Sequence, residues 1–130
     1  MRILHPPHWT KPRGYSYGLV AKGQLVFLAG VVGWDREGHF KSKDFLGQAR
    51  QALENIVELL EYAGARPEHL ARLTWYVVDR EEYMRSLREL GAIYREVIGN
   101  YYPPMSVVQV VSLVEPEARL EIEATAVIPE

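Results

Sequence analysis

Two rhythms of hydrophobic and polar residues run along the chain, and each change of rhythm marks an element. Phe45, Ala49, Ala52, Leu53, Ile56, Val57, Leu60 and Ala63 recur at helical spacing, opposite a polar face of Arg50, Glu54, Glu58 and Glu61. Asp44 is a good N-cap for this helix, Gly64 stands where a terminating glycine belongs, and Pro67 prevents resumption. A second helical stripe carries Tyr83, Leu87, Leu90, Tyr94, Val97 and Ile98. Asp79 caps it, Glu82 completes a capping-box pattern, and Gly99-Asn100 ends it.

The remaining pattern predicts strands. Tyr15 to Ala21 and Leu25 to Val32 read as a pair joined by a tight turn at Lys22-Gly23. Arg72 to Val78 is rich in β-branched and aromatic residues. Met105 to Ser112 is apolar on both faces apart from Ser106, Gln109 and Ser112. Arg119 to Val127 alternates, with Leu120, Ile122, Ala124 and Ala126 on one face and Glu121, Glu123 and Thr125 on the other.

The predicted order is β-β-α-β-α-β-β. It implies an α+β fold: one layer of about five strands with two amphipathic helices on one face. Two helices cannot cover both faces. Three strands nevertheless read as apolar on both sides, so the uncovered face calls for a partner, most simply another copy of the chain.

Composition narrows the function classes. At 130 residues the expectation is a single domain, 1–130, with residues 1–13 as an extended N-terminal arm. A net charge of −2 gives no sign of nucleic acid or an anionic membrane surface. The absence of cysteine removes disulfides, thiol catalysis and cysteine metal sites. His5 and His8 lack a third ligand, so no metal is expected. The first residues contain no long apolar run and are expected not to form a signal peptide, which makes the cytoplasm the default location.

The segments LVFLAGVVGWD, QARQALENIVELLEYAGA, LTWYVVD, YREVI and YPPMS…LEIEATAV occur in an order and spacing that resemble the RidA/YjgF reactive-intermediate deaminase family along nearly the whole chain. The resemblance implies a chorismate-mutase-like fold, a barrel-like homotrimer, and small-molecule clefts between subunits. It also implies hydrolysis of imines or enamines to a carbonyl compound and ammonia, with no cofactor. In such a site an arginine fork clamps the substrate carboxylate and a glutamate positions the attacking water. The glutamate corresponds to Glu121 in LEIEA, and a family aromatic corresponds to Tyr15.

Four pocket positions depart from the family pattern. The family's Pro-Ala-Arg-Ser is here Pro103-Pro104-Met105-Ser106, so methionine holds the arginine position. Val107 stands where cysteine is frequent, Ala29 where the family has serine, and Gly91 where it has asparagine. Losing a charge-assisted bond to a carboxylate forfeits about 1.5–3 kcal/mol. Such a site is expected to bind 2-imino acids poorly. Tyr17 and Gln109 are further ligand-contact candidates, and Trp34 and Trp75 read as structural. Arg13 and Arg72 read as surface residues, with restoration of the missing charge as their alternative. Two functions follow: an imine or enamine deaminase-type hydrolase with a substrate that need not carry a carboxylate, or a non-catalytic binder of an apolar or aromatic molecule in the same cleft.

Overall fold

The computed structural model describes all 130 residues. Its elements are β1 (Arg2–Leu4), β2 (Gly18–Val20), β3 (Gly23–Phe27), β4 (Val31–Val32), α1 (Phe45–Tyr62), β5 (Leu70–Val77), α2 (Arg80–Arg85), α3 (Leu87–Val97), β6 (Met105–Gln109) and β7 (Leu120–Pro129). The main sheet runs β3-β7-β5-β6, with β4 also paired to β7. The long alternating strand β7 is therefore the spine. It is antiparallel to β3, β4 and β5, while β5 and the edge strand β6 are parallel and joined through α2 and α3.

Helix α1 begins where its pattern says. The Asp44 carboxylate accepts from the Gly47 N–H at 2.8 Å, satisfying one of the first-turn donors, and Gly64 takes a φ of 81° just past its end. Its apolar stripe packs on Leu120, Ile122, Ala124 and Ala126 of β7 and on Leu73, Trp75 and Val77 of β5. All the helices lie on this face of the sheet.

Four expectations change in detail. The first two strands are not a hairpin: β2 pairs with β1 of the N-terminal arm, and β3 pairs with β7. Gly23 is required by close approach instead of a turn, since a Cβ there would run into the Ile128 carbonyl. The apolar run 25–32 is interrupted between Phe27↔Thr125 and Val31↔Ile122, where it has one residue more than β7. That bulge holds Ala29 and Gly30. The second predicted helix is two, because the Ser86 hydroxyl donates to the Glu82 carbonyl four residues back, a bond that bends helices. Its capping box is half formed. Asp79 accepts from the Glu82 N–H, but the Glu82 carboxylate instead accepts from the Arg119 guanidinium at 2.8 and 3.1 Å, tying α2 to the start of β7.

No helix is long and apolar enough to cross a membrane.

Candidate functional site: a cavity at the edge strand

The edge strand β6 begins after Pro103 and Pro104. Their carbonyls still accept, and they tie down two other segments. The Ser16 N–H donates to Pro103 at 3.3 Å and the Leu73 N–H to Pro104 at 3.1 Å. Tyr15 is thereby held beside Met105. Parallel pairing sets Met105 opposite Leu73 and Val107 opposite Trp75, so both side chains face the helices. At this end α2 and α3 do not close onto β6. The gap is a cavity of about 380 Å³.

Met105, Val107 and Trp75 form its sheet wall; Tyr83, Leu87, Leu90, Gly91 and Tyr94 form its helix wall; Tyr15 and Tyr102 close the end. Gly91 sits inside a helix with no positive φ to require it, at a cost of about 1 kcal/mol relative to alanine. What it contributes is room. Burial raises the pKa of Tyr94 and of Tyr83, so both are neutral phenols. The Tyr94 hydroxyl already donates to the Tyr101 carbonyl at 2.7 Å. The lining therefore offers shape and apolar surface, and its one fixed charge is Arg13.

The structure separates the residues singled out from the sequence. Tyr15, Gly91, Met105 and Val107 come together in the cavity. Glu121 and Ala29 do not join them. Glu121 pairs with Val32 and Tyr76, on the sheet face turned away from the helices. Its carboxylate lies directly over Gly30 of the bulge, where any Cβ would collide with Oε2. Bulges recur beside functional sites because they re-aim the chain. Within this chain Glu121 has no ion pair.

Two other candidates have different duties. The Gln109 side-chain oxygen accepts from the Arg80 N–H at 2.7 Å, so it caps the start of α2. The Tyr17 hydroxyl donates to the Thr10 carbonyl at 2.6 Å, and its ring meets Trp9 edge-on. His5 is also committed locally, to the Trp9 carbonyl at 3.0 Å. Of the two spare arginines, Arg13 lines the cavity, whereas Arg72 lies in a separate hollow with Tyr17 and Thr125. Tyr83, Leu87, Leu90 and Tyr94 were legible only as an apolar helical stripe. Nothing in that periodicity separates a side chain packed on the sheet from one facing a gap beside it.

A five-stranded sheet with helices on one face and a cleft at its edge strand defines a small α+β protein. The chain belongs to the RidA/YjgF family: it matches the family described as Endoribonuclease L-PSP over residues 10–128. It is 31% identical over 125 residues to a RutC family protein of Pyrococcus horikoshii, covering 95% of each chain. It is 30% identical over 105 residues to the 2-iminobutanoate/2-iminopropanoate deaminase of Salmonella typhimurium, covering 81% of this chain and 80% of that one. A crystal structure of a Rid family protein from Yersinia pestis superposes with a TM-score of 0.83 at 33% identity, over 98% of both chains.

Proposed function

We propose that the chain assembles as a RidA-like homotrimer with small-molecule clefts between subunits. There it hydrolyses an imine, enamine or related C–N bond to a carbonyl compound and ammonia. One observation carries this reading. Glu121 with the Ala29–Gly30 bulge, and the cavity around Met105, are on opposite faces of the same sheet. A single chain cannot bring them together, but a neighbouring copy can. The uncovered face supports such a neighbour, because Phe27 is 73% exposed and Leu25 57% on a sheet surface with no helix over it.

In this reading Glu121 accepts a hydrogen bond from a water and aims its oxygen at the electrophilic carbon. The water adds across the C=N bond, with oxygen to carbon and a proton to nitrogen. The resulting carbinolamine then loses its nitrogen as ammonia, leaving a carbonyl. The deaminase name of the Salmonella relative supports the reaction class. The family description names a ribonuclease, but a net charge of −2 and an apolar cavity favour a small organic substrate over RNA. Met105 offers no donor, so the site does not demand a carboxylate at that position.

The test is ammonia release from a panel of enzymatically generated imines. We expect acceleration on at least one, and a Glu121→Gln rate lower by about 10² or more, the range for a lost acid–base group. An unchanged rate in E121Q, or no acceleration on any imine, overturns the catalytic reading. A second reading, a non-catalytic binder, is favoured by the apolar and aromatic lining around Met105 and Val107. It predicts a raised melting temperature with apolar or aromatic ligands that is equal in wild type and E121Q.

A further inference from the structure

The loss of a guanidinium at position 105 leaves a cavity with an apolar floor, but the cavity still has a cation. Arg13 lines it, next to Tyr15. Three features set the path of the backbone around Arg13. Pro12 precedes it, Gly14 follows with a φ of 75°, and Ser16 is fastened to Pro103. No carboxylate of the chain pairs with it. Arg95 is also unpaired and lies nearby: its Nη1 is 3.4 Å from where a Cβ on Gly91 would sit. Arg13 is exposed while Met105, Trp75 and Leu90 are the more deeply placed walls, so charge sits at the mouth and apolar surface inside.

We propose that Arg13 is the specificity-determining residue of this cleft and selects amphipathic anions: molecules with an aromatic or branched apolar body and a terminal carboxylate. The body packs against Met105, Trp75 and Leu90, and the carboxylate meets the Arg13 fork at the rim. A ligand held this way has its anionic end at the mouth instead of at the strand. This deepens the proposed function and rests on its reading of the cavity as the ligand cleft. The cavity volume of about 380 Å³ accommodates a single-ring ligand.

The experiment compares 3-phenylpropionate with its uncharged isostere 3-phenylpropionamide by titration calorimetry on the full chain. Wild type is expected to bind the carboxylate about tenfold or more tightly than the amide, as a charge-assisted bond implies. In Arg13→Gln the preference disappears, with the carboxylate losing about tenfold more affinity than the amide. Arg13→Lys keeps part of it, and Arg95→Gln keeps most of it. The proposal is overturned if wild type binds neither probe or shows no preference. It is also overturned if R13Q keeps the preference, if R13Q weakens both probes equally, or if R95Q alone abolishes the preference. The ammonia assay separates this from the catalytic reading. A charge preference without deamination sinks only the catalysis, and deamination without the preference sinks only the role of Arg13.

Discussion

Strand β7 contributes to two surfaces of opposite character. Toward the helices it sends Leu120, Ile122, Ala124 and Ala126, all at most 1% exposed beneath α1 and α3. Away from them it sends Glu121, Glu123 and Thr125, flanked by Leu25 and Phe27, which stand largely open. Beneath α1 the covered face is finished within one chain, and its gap lies toward the edge strand, where the buried Trp75 indole N–H has no partner beside the cavity. The bare face mixes carboxylates with exposed apolar side chains, a composition suited neither to a solvated surface nor to a dry core. One strand thus serves stability on one side and, in the proposed trimer, assembly and chemistry on the other.

The largest expected effect tests the covered side. Leu53 of α1 is fully buried in the core cluster, so Leu53→Ala removes packed methyl groups and leaves a cavity. The expected cost is about 2–5 kcal/mol, read as a lower urea midpoint with an unchanged slope. A cost near that of a surface change would mean that the helix layer is not where stability resides.

The bare side is tested next. Phe27→Glu places a charge on a residue that is 73% exposed in the single chain, so it should disturb that chain little. Desolvating three such charges in a trimer is costly. Sedimentation equilibrium should show the mass falling from three chains to one, while far-ultraviolet circular dichroism is retained. A persistent trimer would remove the bare face from the interface. Loss of the helical signal would show that the two faces are not independent.

How much of this division was legible in the sequence differs between the two faces. The covered face was readable because its elements carry strong local signals: the α1 stripe between Asp44 and Gly64, the Asp79 cap, and the alternation of 120–127. Each depends on spacing along one segment. The misread features depend on pairing between distant segments. Lys22-Gly23 has the composition of a turn, but Gly23 is there because the Ile128 carbonyl approaches it. The bulge at Ala29–Gly30 is a register offset against β7, invisible in a continuous apolar run. Ser86 bends its helix through a hydroxyl bond that hydrophobic periodicity cannot register. The candidate site inherits this limit. Met105 and Glu121 stood out through family resemblance, yet that they occupy opposite faces follows only from the paired registers.

The smallest effect concerns how the cover itself is anchored. Asp44 starts α1 by accepting from the Gly47 N–H at 2.8 Å and from the Ser42 hydroxyl at 2.8 Å. The Ser42 bond, and then the Gly47 bond, hold its carboxyl below its usual 3.8. Asp44→Ala should cost about 1 kcal/mol at neutral pH through the lost cap. The pH dependence has a definite sign. The folded value lies below the unfolded one, so the contribution of Asp44 is complete above 3.8 and is lost as the pH falls through the lowered value. The stability gap between wild type and D44A should therefore be constant from neutral pH down toward 4 and narrow below it. Solvent screening makes the narrowing only a fraction of the gap, because Asp44 is exposed. A gap that widens in acid would mean that the ionised carboxylate does not hold the start of α1, and that the cover is fixed by its buried stripe alone.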